Sequence, residues 1–385
     1  MSRLAFLATG FRRAAMASWL ASLAILPGPR SATAESDLAG ETAVIAKQVK
    51  LLLDQKGQST IAVGDFRAPA KLASGAGTAI TKCMTDELKK LGLAVTRRAE
   101  LELNGEFRDV QDPKAKAPAV QIRAHVVDQS GAEVVAFEPR GIFDMTTIAS
   151  LVGATVSIPA AATEEQRNEG FTEAVENPKI HLANTRISPD PKGPYAIEVR
   201  VKSGSEYRPR AASMEDGLAF LKIRREETYA IALINDSPND AAVTLTIDGL
   251  SVFAFSENTA YRHFIVPGKT TLTVPGWHRS NKVSDSFKVT GYAESAVAEN
   301  MPNSTIVGTI TACFAAAWPK DSPPPADEAS PKGAKALPSD DATARGEAVE
   351  KIFTQVYKKV GRFRAAVTVR YSKDFVPQDL PGAAP

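Results

Sequence analysis

At 385 residues the chain is longer than one ordinary hydrophobic core accommodates, and its length predicts two domains. The 46 basic and 44 acidic residues give a formal net charge of +2. Such a balanced surface lacks the strong positive charge that binding to nucleic acid or to anionic membranes needs, so the composition argues against both kinds of partner.

The N-terminal segment has the order of features that defines a secretory signal peptide. Arginines precede an apolar run at 15–26, and small residues follow up to Ala34. This order predicts a signal at 1–34 that is cleaved after Ala34. Removing it lowers the net charge from +2 to −2, because it contains four arginines and no acidic residue. No later run is long enough to span a bilayer, so we expect a periplasmic or secreted protein without a transmembrane segment after signal removal.

The first predicted domain, at about 40–160, combines amphipathic helices with strands. Apolar residues spaced by three and four predict a helix at 41–56, ended by Gly57, and a second helix ended by Gly92. The core face of the second helix is Ile80, Met84, Leu88 and Leu91. The predicted strands are 61–66, 93–98, 101–108, 119–127 and 133–138, and a turn at 129–131 joins the last two as a hairpin.

Four motifs of this domain carry a resemblance to a known family. They are Ile-Ala-Val-Gly-Asp-Phe at 61–66, Leu-Ala-Val-Thr-Arg-Arg at 93–98, Leu-Asn-Gly-Glu-Phe at 103–107 and Val-Asp-Gln-Ser-Gly at 127–131, together with a helix entered at Gly77. The segment resembles the envelope domain shared by curli-secretion channel proteins, penicillin-binding-protein activator lipoproteins and the N-terminal domain of the Tol-system propeller protein. It lacks their lipidated cysteine and membrane-spanning hairpin. The resemblance implies contacts with envelope proteins and no catalytic residues.

A linker with one short helix is predicted at 161–195. Thr163 caps a helix that continues to Val175 and is stopped by Pro178. Three prolines between 189 and 194 then predict a stiff connector to the second domain.

The second predicted domain, at about 196–371, consists of short runs with apolar residues at every second position, separated by Asp-Gly and Pro-Gly turns. Within it, the Pro-rich and Ala-rich segment 319–345 predicts a disordered insertion. A helix at 349–360 and a strand at 363–371 are predicted next, followed by a flexible tail at 372–385.

The second domain resembles a β-sandwich found in many secreted proteins of uncharacterised role. The residues that carry the likeness are Tyr229, Asn235, Thr246, Asp248, Gly249, Pro267, Gly268, Gly276, Trp277, Phe287 and the run Val-Gly-Thr-Ile at 307–310. The predicted fold class is therefore α+β: an N-terminal α/β sandwich, with helices on one sheet, followed by an antiparallel β-sandwich.

No spacing in the chain indicates catalysis or metal binding. The four histidines, His125, His181, His263 and His278, do not have the spacing of a zinc site, and no Gly-x-Ser-x-Gly elbow occurs. No pair of carboxylates can be nominated as a glycosidase pair. We therefore expect no catalytic residues, no metal and no cofactor. Cys83 and Cys313 are expected to be buried thiols on a helix and on a strand, with a disulfide between them as the alternative.

Aromatic residues of the second domain are the weak candidates for ligand binding. Trp277, Tyr261 and Tyr292 could stack on sugar rings, although a tryptophan after Pro-Gly is more typical of a core anchor. The sequence favours a non-catalytic exported binding or scaffold protein of the cell envelope, with envelope proteins or cell-wall glycan as partners. Glycan or cell-wall recognition by the β-sandwich is the alternative, and an unrecognised hydrolase is the second alternative.

Overall fold

The computed structural model describes residues 37–67, 76–111, 117–215, 217–258, 260–290, 308–326, 328, 348–350 and 352–371. All of them belong to one compact unit, Glu35–Pro385. The predicted signal peptide at 1–34, the predicted tail at 372–385, most of the predicted insertion at 319–345 and Tyr292 lie outside the described residues. The two domains predicted at 40–160 and 196–371 stay a prediction.

The N-terminal part contains two helices and a mixed sheet. Its elements are α1 (Leu38–Gln55), β1 (Thr60–Arg67), α2 (Ala76–Lys90), β2 (Ala94–Thr96), β3 (Leu101–Gln111), β4 (Pro118–Asp128), β5 (Glu133–Ala136) and β6 (Arg140–Ile142). The strand order is β2-β1-β3-β4-β5, and β6 pairs with β4. Strand β1 runs parallel to β2 and β3, whereas β3, β4 and β5 are antiparallel.

Local signals in the sequence explain where these helices begin and end. The Asp37 carboxylate accepts a hydrogen bond of 2.6 Å from the Gly40 amide and caps α1. Gly57 and Gly92 adopt positive φ angles of 67° and 81°, which glycine reaches without the penalty that a side chain brings. The helices and strands predicted between 41 and 138 are confirmed, including the hairpin of β4 and β5.

A short helical stretch connects this part to the remaining sheets. It comprises α3 (Met145–Val152), β7 (Val156–Ser157), α4 (Glu164–Glu176), β8 (His181–Ala183) and β9 (Arg186–Ser188). Thr163 and Gln166 form a reciprocal capping box at the start of α4, as the sequence predicts. The segment predicted as a linker thus contributes two strands, since β8 pairs with β9 and Ile187 of β9 pairs with Ile197.

Most of the remaining chain forms two further sheets. The strands are β10 (Tyr195–Ser203), β11 (Glu206–Pro209), β12 (Ser213–Glu215), β13 (Leu218–Phe220), β14 (Thr228–Asn235), β15 (Asp240–Ile247), β16 (Leu250–Ser251), β17 (Phe264–Val266), β18 (Thr270–Val274), β19 (Gly276–His278), β20 (Val283–Lys288), β21 (Thr309–Pro319), β22 (Ala348–Glu350) and β23 (Lys358–Arg370). One sheet has the order β19-β20-β14-β10-β9-β8, with β11, β18 and β22 paired to β10, β14 and β20. The other has the order β12-β13-β23-β21-β15-β16, with β17 paired to β15 and β7 paired to β23.

Two buried apolar clusters join these elements. One cluster combines the helices α1, α2 and α3 with the first sheet, and it also takes in Cys313 of β21 and Phe363 of β23. The other combines side chains of the two later sheets, for example Leu233 of β14 and Leu245 of β15. The described chain is a mixed fold with mostly strands, so the α+β class is confirmed.

The turn predicted at Asp248 and Gly249 is confirmed. It joins β15 to β16, and its two residues have φ angles of 53° and 81°. Positive angles at both central positions are those of a tight hairpin turn, which Asp and Gly tolerate best.

The prediction of a helix at 349–360 is wrong. Residues 348–350 form β22, residues 352–357 are irregular, and residues 358–370 form β23. The apolar spacing of this stretch fits a helix, but Phe353 alone packs onto the core while Ile352 and Val356 are exposed. Strand β22 pairs with β20, and β23 pairs with β21. The backbone of these two strands is therefore hydrogen-bonded to strands remote in sequence instead of within a local helix. The predicted strand at 363–371 is confirmed as part of β23.

Candidate binding site

A cavity of about 360 Å³ lies where three connecting segments meet. Residues 157–160, 190, 192–195 and 237–240 line it, together with Ala316, Pro325 and Arg364. The first of these segments follows β7, the second precedes β10, and the third joins β14 to β15. Binding sites are commonly built from such loops on a rigid sheet scaffold.

The acidic side chains that line the cavity already have partners. The Asp190 carboxylate accepts a hydrogen bond of 2.8 Å from the Lys192 amide. The Asp240 carboxylate lies 2.9 Å from the Lys358 ammonium group. Each carboxylate is thus held in position by a neighbouring donor.

A buried ion pair lies beside the cavity. The Arg364 guanidinium donates to the Glu328 carboxylate, and the Arg362 amide donates to its other oxygen at 3.1 Å. The Glu328 side chain is 0% exposed and that of Arg364 is 4% exposed, so both charges are withdrawn from water. Burying two charges is favourable only where good geometry and further hydrogen bonds compensate, and the backbone amide provides one such bond.

Gly361 makes room for this carboxylate. A Cβ atom at position 361 would lie 2.6 Å from a Glu328 carboxylate oxygen and 2.6 Å from the Trp318 ring. Both separations are far below an ordinary contact. The glycine is therefore needed for the close approach of the Glu328 carboxylate to β23.

Further arginines surround the ion pair. Arg167 of α4 is 2% exposed and donates to the Phe363 carbonyl at 2.6 Å, and burial lowers the pKa of its guanidinium. Arg362 lies 2.8 Å from the Glu164 carboxylate. Arg167, Arg362 and Arg364 thus lie close to one another and to two glutamates, Glu164 and Glu328.

The aromatic candidates from the sequence do not line this cavity. Trp277 is 6% exposed and packs edge-on against Phe255 and Phe287, with ring centroids 5.0 and 5.4 Å away. Its indole face is occupied by core side chains. Tyr261 is half-buried, and its hydroxyl group accepts a hydrogen bond from Asn281 and donates one to Gln355. Tyr292 lies outside the described residues.

Two of the histidines, His263 and His278, and both cysteines have hydrogen-bond partners within the fold. No group of three or more potential ligands could hold a metal ion in the part of the chain that is described. Burial lowers the pKa of His263 to about 4 and raises that of Cys83 to about 11 and that of Cys313 to about 12. Both thiols are free and stay protonated at neutral pH, so neither is an activated nucleophile. Cys83 lies in α2 and Cys313 in β21, as expected, but only Cys313 is fully buried, whereas Cys83 is half-buried.

Asp248 has a role that its turn position alone does not indicate. Its carboxylate accepts hydrogen bonds from the Gly308 amide at 2.6 Å, the Thr309 amide at 3.0 Å and the Tyr371 hydroxyl at 2.6 Å. Burial raises the pKa of this carboxyl above its ordinary value. The side chain therefore ties the start of β21 and the end of β23 to the β15–β16 turn.

Comparison of the chain with protein-family models, with curated proteins and with solved structures gave no match. The two resemblances seen in the sequence therefore remain predictions. Among the described helices, none has the length and apolar composition that crossing a membrane requires. Sequence reasoning did not find the Glu328–Arg364 pair, and a single glutamate after three prolines gave no signal that it would be buried.

Proposed function

We propose that the protein is exported and acts as a non-catalytic binding or scaffold protein of the cell envelope. The observation that carries this proposal is an exposed apolar segment at 352–360. Large apolar side chains that are exposed together on a folded body often mark a surface for another protein.

The apolar segment presents four large side chains to solvent. Ile352 is 80% exposed and Tyr357 is 77% exposed, while Val356 and Val360 are 48% and 41% exposed. Phe353 lies between them and packs against Phe264 with a ring-centroid distance of 5.3 Å. One aromatic anchor thus holds the segment to the core while its neighbours point outward.

The backbone of the segment also has capacity for a partner. In the described chain, residues 352–357 make one main-chain hydrogen bond, from the Phe353 amide to the Asn281 carbonyl. Backbone donors and acceptors that make no hydrogen bond within the described chain can pair with an incoming strand, while alternate side chains supply specificity. We therefore expect a protein partner that contributes an extended, apolar segment.

The scaffold that we propose for this surface is a β-sandwich built from the two later sheets, because their side chains share one buried cluster. Export through the predicted signal would deliver this body to the periplasm or the medium. Mass measurement of the mature protein in the periplasmic or secreted fraction is expected to give a chain that begins at Glu35.

Site-specific cross-linking tests the binding role. A photoreactive residue at 352 or 357 is expected to capture a protein other than this chain in envelope extract. The matched control position is Leu51 of α1, which is 63% exposed but belongs to a different surface element. The double variant Ile352→Ser and Tyr357→Ser should lose the partner in a pull-down and keep its fold, because both side chains are exposed.

Two results would contradict the proposal. Equal adducts at position 51 and at positions 352 and 357 would indicate non-specific capture. Adducts formed between copies of this chain alone would indicate self-association rather than binding of an envelope protein.

A further inference from the structure

The imidazole ring of His278 lies inside a box of aromatic rings. Its centroid is 5.2 Å from that of Phe253, 5.4 Å from that of Tyr261 and 5.7 Å from that of Phe353. The residue is 2% exposed, so a positive charge on the ring would be out of reach of bulk water. Burial lowers the pKa of His278 below its ordinary value. The closed box therefore favours the neutral imidazole.

A short irregular segment, residues 352–357, covers one side of this box and is called the strap. In the described chain its main chain makes one hydrogen bond, from the Phe353 amide to the Asn281 carbonyl at 2.7 Å. The Tyr261 hydroxyl donates to the Gln355 side chain at 3.0 Å. Apart from Phe353, which is half-buried, the residues of the strap are exposed. Local opening of a segment with so few attachments costs much less free energy than unfolding of the sheets.

The polar groups in contact with His278 offset only part of the cost of burying its charge. The Nδ1 atom lies 3.2 Å from the Ser256 hydroxyl oxygen. A hydrogen bond with the Asn281 side chain favours the protonated ring, but burial has the larger effect on the pKa. Ser284 is the cross-strand neighbour of His278 and is 0% exposed, so it brings a neutral hydroxyl to the same face of the sheet.

Charged groups around the box do little to favour a protonated ring. Glu257, on the preceding loop, is the acid that favours protonation, but its side chain is exposed, where salt weakens the attraction. Asp285 of β20 is the cross-strand neighbour of Trp277, so it lies on the face of the sheet opposite His278. The strap contains no charged residue. The adjoining loops otherwise carry cations, which disfavour a further positive charge nearby: Arg262, Arg279 and Lys282.

We propose that the strap is a pH-controlled cover that opens when His278 is protonated. Opening removes the Phe353 ring and lets water hydrate the imidazolium. A group that is protonated more easily in the open form shifts the equilibrium toward that form as the pH falls. The contribution of neutral His278 to closure is fully present above the open-state pKa, which is about 6.5, and is lost as the pH falls below it.

Hydrogen exchange of the Phe353 amide measures this opening, because that amide is hydrogen-bonded when the strap is closed. Protection factors, which correct for the intrinsic pH dependence of exchange, are measured by mass spectrometry on the full mature chain. An open-state pKa of about 6.5 limits the fall in protection between about pH 7.5 and about pH 5.5 to about tenfold, and we expect a fall of about three- to tenfold. Peptides from β14 should keep their protection over the same range, since the sheets stay folded.

Histidine variants assign the effect to one residue. His278→Gln removes the titration and keeps a polar side chain, so its protection factor should be the same at both pH values. His125→Gln is the matched control: this half-buried histidine lies in β4, outside the box, and its variant should show the fall of the wild type. His263→Gln should also show that fall. A fall that disappears in His263→Gln and persists in His278→Gln would overturn the proposal.

Two results with the wild type would also overturn it. One is a protection factor of the Phe353 amide that does not change with pH. The other is an equal loss of protection in the strap and in β14, which would mean that acid destabilises the whole fold. If His278→Gln does not fold, the wild-type imidazole is titrated by NMR, and its midpoint should coincide with that of the loss of protection. Separate midpoints would contradict the switch.

The strap is part of the apolar segment at 352–360, so any role of the switch in partner binding rests on the proposed function. The exchange measurement contains no partner. A negative exchange result would therefore overturn the switch alone, whereas an absence of specific cross-links at positions 352 and 357 would contradict the binding role alone.

Discussion

Replacement of Asp248 by alanine is expected to be among the most damaging single changes in the sheets. The carboxylate receives three hydrogen bonds, from the Gly308 amide, the Thr309 amide and the Tyr371 hydroxyl. All three are buried, so water cannot replace the lost acceptor without opening the structure. The residue also has a positive φ angle of 53°, which alanine adopts less readily than aspartate.

The magnitude follows from the number of donors left without an acceptor. Each buried donor that loses its partner costs about 1–3 kcal/mol, and the strained turn adds about 1 kcal/mol. Partial relaxation reduces the sum, so we expect Asp248→Ala to lower the free energy of unfolding by roughly 3–6 kcal/mol. A loss of that size is a large fraction of the about 5–15 kcal/mol that stabilises a typical domain.

Urea unfolding followed by circular dichroism and tryptophan fluorescence measures this loss. Asp248→Asn is the matched variant, because asparagine tolerates the same turn and its carbonyl oxygen can still accept from the amides. It should be less destabilising than alanine. A loss below about 1 kcal/mol for Asp248→Ala would refute the reasoning, because it would mean that the three donors contribute no more than one ordinary hydrogen bond.

The difference in stability between the wild type and Asp248→Asn should depend on pH. Burial raises the pKa of Asp248 in the folded state, so folding favours proton uptake at this site. Its contribution to stability is fully present below the unfolded pKa and is lost as the pH rises through the folded pKa. The stability of the wild type relative to Asp248→Asn should therefore increase as the pH is lowered from neutral. If the stability of the wild type relative to Asp248→Asn instead decreased as the pH was lowered, the three hydrogen bonds would stabilise the ionised carboxylate more than burial destabilises it.

Three further predictions address the core, the buried Glu328 carboxylate and the thiols. Trp277→Ala should lower the free energy of unfolding by about 3–5 kcal/mol, whereas Leu51→Ala on the surface should change it by less than about 0.5 kcal/mol. Equal losses of the two variants in urea unfolding would contradict the buried position of Trp277. Gly361→Ala should destabilise the protein, because the added Cβ atom meets the Glu328 carboxylate and the Trp318 ring. If the carboxylate is the main obstacle, much of that loss of stability should disappear when Gly361→Ala is combined with Glu328→Ala. Cys83 and Cys313 should react slowly with a thiol reagent in the native protein and rapidly in urea, and fast native labelling of Cys313 would contradict its burial.

Local features of the fold could be predicted from the sequence. The apolar stripe of Ile80, Met84 and Leu88 is buried on α2, and Thr163 caps α4 through the capping box. Such signals depend on residues a few positions apart, where propensity and hydrogen bonding act directly. The turn at Asp248 and Gly249 is another local feature, because Asp and Gly are the residue types that adopt positive φ angles most readily.

Features that depend on distant partners could not be predicted in this way. The helical spacing around Phe353 gave a wrong helix because the partners of β22 and β23, namely β20 and β21, are remote in sequence. Glu328 and Arg364 are 36 positions apart, and nothing near either residue indicates their pairing. Leu337 is the only bulky apolar residue of 319–345, and such a composition does not reveal that the Glu328 side chain is buried.

Strand β23 has a consequence for biosynthesis. Val367 and Val369 fill one buried cluster, whereas Phe363 and Ala366 fill the other, so a single late stretch of chain completes both. A ribosome must translate past Arg370 before either cluster can close. Until that moment part of each apolar cluster lacks its packing partners, which exposes any prematurely terminated product to chaperones and proteases.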